Sequence, residues 1–194
     1  MERYMYAIHK NDICINRNEL AARLGTPRGY TDSTVERCIA QVMDSCAPGC
    51  CYARVPVCLA NADVAEFEFA SFPSRDLYKN LEGCQEAYII AITLGAATDR
   101  LVHRLSLTSG AESFVADAVA SAVAEAVMDN VVGYLKESQS LCPQFSPGYG
   151  DFSVSHQGEI LDFLCADKLL GIKLSESFLM IPKKSITAIC GIKE

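Results

Sequence analysis

Apolar residues along this chain alternate between two spacings, and the switch between them marks out the elements. Where they recur every three to four positions the chain reads as helix. NELAARLG (18–25) is a short one stopped by glycine, and STVERCIAQVMDSC (33–46) a second, opened by a capping box of Ser33 with Glu36. CCYARVPVCLA (50–60) and VAEFEFA (64–70) approach a period of two and read as strands. Ser74 caps a brief helix, SRDLYKNL (74–81). The unbroken apolar run EAYIIAITLG (86–95) suits a central strand buried on both faces. After AATDRLVHRLSL comes ESFVADAVASAVAEAVMDNVVGYLKES (112–138), the clearest helix in the sequence. The loop SPGYGDFS (146–153) separates it from a helix through VSHQGEILDFLCADKLLG (154–171). SFLMIP (177–182), a Lys183-Lys184 turn and SITAICGI (185–192) read as a β-hairpin. Strands and helices mix without regular βαβ alternation, so the fold class is α+β.

A chain of 194 residues, half of them apolar, can bury one good core or two small ones. A soft boundary near residue 84 divides an N-terminal helical and strand subdomain (1–84) from the remainder (85–194), unless the two form one compact unit. The net charge of −7 repels phosphate backbones and anionic membranes, so neither nucleic acid nor membrane is an expected partner. The N-terminal stretch has no apolar run of signal-peptide length, and AYIIAITLGAA (87–97) is too short to span a bilayer; a soluble, cytoplasmic protein is expected. The 10 cysteines should then remain thiols.

Three places could carry chemistry. In AVASAVAEAVM (118–128) the only charged residue is Glu125, set among alanines and valines that let neighbours approach closely. A buried carboxylate needs a partner, either an Arg or Lys from another element or a ligand's ammonium, sulfonium or ribose hydroxyl. In the loop, Pro147-Gly148 suits the centre of a type II turn, and glycines at 148 and 150 uncover main-chain groups that a small ligand could read, with Tyr149 free to stack or donate. The plain alternative is a helix-to-helix turn. Cys46, Cys50, Cys51 and Cys58 follow C-x3-C-C-x6-C, which departs from zinc-ligand spacing and places the last thiols on a strand. They read as reduced cysteines, with a zinc thiolate site the alternative. His9, His103 and His156 stand in no metal or triad pattern, and no glycine-rich phosphate loop is present in the sequence.

AVAEAV around Glu125, the loop QFSPGYGDFS and the run ADKLLGIKLSESFLMIPKKSITAICGI together resemble the activation, or S-adenosylmethionine-binding, domain of cobalamin-dependent methionine synthase in a stand-alone form. The resemblance spans residues 86–192. It implies an antiparallel sheet flanked by helices, one of them long and Ala-rich. It also implies that S-adenosylmethionine is held by Glu125, by Ser146 through its backbone, by Gly148 and by Tyr149. The family's carboxylate-holding arginine falls on Gln144, which can donate a hydrogen bond but lacks the charge and fork of a guanidinium. The implied role is accessory: reductive remethylation of cobalamin carried by a partner, a corrinoid-bearing methionine synthase lacking its own activation domain, with a flavodoxin-like electron donor. On this reading the chain has no catalytic residue of its own. The rival reading is a ligand-free scaffold docking on a corrinoid protein in another methyl-transfer system.

Overall fold

The structure is a computed structural model and describes residues 2–61 and 63–193. Strand β1 (Tyr4–Tyr6) is followed by α1 (Arg17–Arg23), α2 (Ser33–Ser45), β2 (Gly49–Cys58), β3 (Val64–Phe67), β4 (Ala70–Pro73) and α3 (Arg75–Asn80). Then come β5 (Glu86–Thr93), α4 (Ala96–Ser106), α5 (Gly110–Lys136) and β6 (Ser140–Leu141). The chain continues through α6 (Gln157–Leu164), α7 (Ala166–Leu170), β7 (Lys173–Leu174), β8 (Met180–Ile181) and β9 (Ser185–Lys193). No helix among the described residues is long and apolar enough to cross a membrane.

One sheet of seven strands organises the molecule, in the order β4-β3-β2-β5-β9-β6 with β1 beside β2. The pairings are antiparallel throughout. β5 is central, as its unbroken apolar run requires, and pairs with β2 on one side and β9 on the other. The boundary near residue 84 falls just before β5, so the sheet runs across it and both segments contribute to its middle.

The side-chain period of two sorts β5 and β9 between two cores. Tyr88, Ile90, Ile92, Ala188 and Cys190 face a layer made by α2, α4 and α5. Ala87, Ile89, Ala91 and Ile189 face α3, α6, α7 and the loop that precedes α6. α5 is Ala- and Val-rich on all sides because it lies between the sheet and the other helices; Val119, Val123, Val127 and Met128 are fully buried along it. Ser109 caps its N-terminus by accepting from the Glu112 N–H at 3.2 Å.

Several local expectations change. The cap of α2 is Asp32, whose carboxylate accepts from the Thr34 and Val35 N–H groups, while Glu36 turns away to Arg17 and Thr31. VAEFEFA is not one strand: β3 and β4 form a hairpin with Phe67 opposite Ala70 and the two-residue turn Glu68-Phe69 between them. The helix expected over 154–171 breaks at Cys165, which takes a left-handed φ of +52° between α6 and α7. The C-terminal hairpin does not form. β9, buried along most of its length, enters the main sheet between β5 and β6, and β8 pairs instead with β7. The preceding arm could not have been its neighbour in the core: Phe178, Leu179 and Ile181 are exposed, and Pro182 has no N–H to give a ladder.

Candidate functional site

The loop after β6 runs first as an extension of the sheet edge. Cys142 donates to the Gly191 carbonyl at 2.8 Å, and Phe145 exchanges both main-chain hydrogen bonds with Ile189 at 2.9 and 2.8 Å. The chain then reverses through Ser146-Pro147-Gly148-Tyr149. The Tyr149 N–H donates to the Ser146 carbonyl at 3.0 Å, and Gly148 has φ +99°, which is the type II turn the Pro-Gly pair predicts. Two further bonds lock the return, Gly148 N–H to the Phe152 carbonyl at 2.7 Å and Phe152 N–H to the Tyr149 carbonyl at 2.9 Å.

Beneath the turn, Phe152 is buried against Phe72, Phe145 and His156, with ring centroids 5.3 to 6.3 Å apart. Asp151 fastens the loop to the start of α3 by accepting from the Ser74 hydroxyl and from the N–H groups of Arg75 and Asp76. The Ser74 hydroxyl is the largest cause holding the Asp151 carboxyl below the usual aspartate range, and the backbone donors add to it.

This geometry assigns the two glycines different reasons. Gly148 is demanded by the turn, and nothing lies within 4 Å of where its Cβ would be, so that side of the backbone is open. Gly150 is demanded by the protein itself: at φ +51° its Cβ would lie 2.2 Å from Asp76 Oδ2. Gly150→Ala is therefore expected to lower stability by about 1–3 kcal/mol through left-handed strain and displacement of Asp76. Thermal unfolding checks this, and an unchanged Tm would contradict the contact.

Tyr149 stands at the tip, 46 % exposed, with its ring edge toward Phe145 at 5.9 Å. Ser146 is buried, and its Oγ has no hydrogen-bond partner among the described residues; the same holds for Oε1 of the half-buried Gln144. An exposed aromatic beside open backbone and two unpartnered polar atoms can hold a flat, polar-edged molecule such as a nucleoside. Ser146, Gly148 and Tyr149 thus lie on one turn, with Gln144 just before it on the same loop.

Glu125 lies on the other face of the sheet. It is half-buried on α5, with Arg23 Nη2 3.6 Å from its carboxylate. Burial, first of all, raises its pKa; Arg23 works against the shift, while Glu19 and Asp129 add to it. Arg23 is shared, since it also binds Glu19 at 2.7 Å. Beside Glu125 is a cleft of about 160 Å³ that includes Ser121, Lys183, Lys184, Ser185 and Ile186 in its lining and none of the loop candidates.

The two places approach each other along β9. Phe145 bridges Ile189, and the cleft beside Glu125 begins at Ile186 and Ser185, three and four residues back along the same strand, roughly 10–13 Å away. The turn and the carboxylate thus border the N-terminal half of β9 from opposite faces, within the length of an extended ligand of each other.

Elsewhere, Arg100 and His103 meet Lys183 around a cavity of about 480 Å³ that also holds Asp99 and Asp117, so the patch is mixed in sign. Cys50 and Cys51 point into opposite cores, Cys46 is buried with Cys50, and Cys58 is exposed. Burial pushes the Cys51 thiol up to about 12, and no group of three or more His, Cys, Asp or Glu among the described residues is arranged to hold a metal. Sequence reasoning missed Arg23 as the partner of Glu125 and Asp151 as the anchor of the loop. A basic residue in the last turn of a short helix and an Asp after Gly were the available signals, and neither names a partner.

A seven-stranded antiparallel sheet, with the long Ala-rich helix on one face and the Pro-Gly-Tyr loop on the other, defines an α+β domain. Among the solved structures it matches is a crystal structure of the MetH reactivation domain bound to AdoHcy, with TM-score 0.74 over 98% of this chain and 78% of that one, at 13% sequence identity. At that identity the likeness carries the fold. No family model and no curated protein sequence matches the chain.

Proposed function

We propose that this protein binds S-adenosylmethionine and serves the reductive remethylation of cobalamin on a partner methionine synthase that lacks its own activation domain. The observation that carries this reading is the fold shared, over nearly the whole chain, with a domain bound to AdoHcy. The exposed Tyr149 on a backbone-open turn and the unpartnered Ser146 and Gln144 atoms support it from this chain's own residues.

When bound, S-adenosylmethionine would supply a sulfonium methyl for transfer to a partner's reduced cobalamin, with AdoHcy as the by-product. The protein's task is position and electrostatics. Tyr149 and the main chain from Ser146 to Gly148 orient the nucleoside. Glu125 faces the ligand's positive charge. Gln144 offers a neutral amide beside the turn. No general base is required, and the histidine beneath the turn, His156, packs its ring on Phe72 and Phe152. A flavodoxin-like donor would supply the electron, and the exposed Arg100, His103 and Arg104 of α4 are its proposed contact.

Gln144 is also the observation that favours the second reading, a scaffold without ligand. Calorimetric titration with S-adenosylmethionine separates them. Micromolar binding is expected from the parent protein, and from a Gln144→Arg variant as well. Silence from both proteins would leave the scaffold reading standing.

A further inference from the structure

We infer that the amino-acid end of the ligand enters the cleft between α1, α5 and the start of β9, where Lys183 neutralises its carboxylate and Glu125 its ammonium. The inference rests on the proposal above that the ligand is S-adenosylmethionine, and it moves the carboxylate's counter-charge away from position 144.

The loop itself has no positive charge to offer: from Ser140 to Ser155 there is no Lys or Arg, and Asp151 is acidic. A carboxylate held only by that turn would keep no counter-charge. At the entrance of β9, before Ser185, which lies four residues ahead of the loop's partner Ile189, stand Lys183 and Lys184, with Arg23 in the same cleft.

Of these, Lys184 is committed, its Nζ 2.8 Å from Asp117 Oδ1 and 2.9 Å from Ser121 Oγ. Arg23 is divided between Glu19 and Glu125. Lys183 is exposed and forms no ion pair among the described residues, and its N–H is anchored to Asp99 Oδ2 at 2.7 Å. Its side chain is therefore an uncommitted cation on a fixed stem, in the same cleft as Glu125.

A volume of about 160 Å³ admits an α-amino-carboxylate terminus, whereas drug-sized ligands occupy pockets of ≈ 300 Å³ and more. One carboxylate and one free cation in so small a space match a zwitterion better than any singly charged group. The nucleoside is left outside, on the side of Tyr149.

The test compares two thioether probes that differ only in the amino-acid end, AdoHcy and 5′-methylthioadenosine, titrated into the full chain. Lys183→Ala is expected to weaken AdoHcy about tenfold to hundredfold and leave methylthioadenosine unchanged. Lys183→Arg is expected to retain most of the affinity. Raising salt should weaken AdoHcy in the parent protein and much less in Lys183→Ala. Lys183 is exposed, so an unchanged Tm will confirm that each variant is folded. Unaltered AdoHcy binding in Lys183→Ala, or an equal loss for both probes, overturns this inference alone. A parent protein that binds neither probe nor S-adenosylmethionine overturns it together with the functional proposal.

Discussion

Phe152→Ala is expected to lower the free energy of unfolding by about 3–5 kcal/mol, the cost of removing a buried aromatic ring from a packed interior. The ring is 1 % exposed and touches Phe72, Phe145 and His156, so surrounding side chains would have to collapse from three directions to fill the space. Against a typical total of about 5–15 kcal/mol this is a large fraction. The effect should extend to the candidate site, because the Phe152 main chain closes the turn through Gly148 and Tyr149. Chemical denaturation measures the first part and ligand titration the second. Phe152→Leu should recover much of the stability. A loss below about 1 kcal/mol would mean that the loop is not seated on the sheet as described.

Glu125→Gln should separate binding from stability, in opposite directions. Ligand affinity is expected to fall about tenfold to hundredfold as a charge-assisted contact becomes a neutral one. Stability at neutral pH is expected to rise, because burial is the main cause raising the Glu125 pKa and the glutamine carries no charge to desolvate. The sign follows from linkage: a carboxyl with a raised pKa binds its proton more tightly in the folded state, so its contribution is complete below the ordinary glutamate range and is lost as pH rises through the folded value. The variant's advantage in Tm should therefore shrink on acidification and vanish once glutamate is protonated in both states. Arg23 retains Glu19, so the substitution strands no cation. A variant that is less stable at pH 7 would mean that the Arg23 pair outweighs desolvation.

Much of the architecture could be read from spacing alone. EAYIIAITLG had to be a central strand, and the Ala-rich run had to be a helix enclosed on several sides, because each pattern has only one way to hide its apolar surface. The Pro147-Gly148 turn was equally legible, since its backbone angles are set by those two residues. What could not be read depends on long-range partners. SITAICGI carries the same strand signal whether it folds back on SFLMIP or joins β5, and only the competition for the sheet decides. Ser33 and Asp32 are both good caps, and Arg17 settles the matter by drawing Glu36 away. For the site, the loop residues were placed together by adjacency. Glu125 and Lys183 come from elements 58 positions apart in the sequence, and local patterns give no distance between them.

The seat of β5 between β2 and β9 has a practical corollary. Severing the polypeptide near residue 84 would strip β2 from β5 and leave a long apolar flank with unmet amide groups, the kind of surface that recruits further copies into aggregates. Mapping by halves would then report on misassembly, and point substitution in the uncut polypeptide is the sound route to dissecting it.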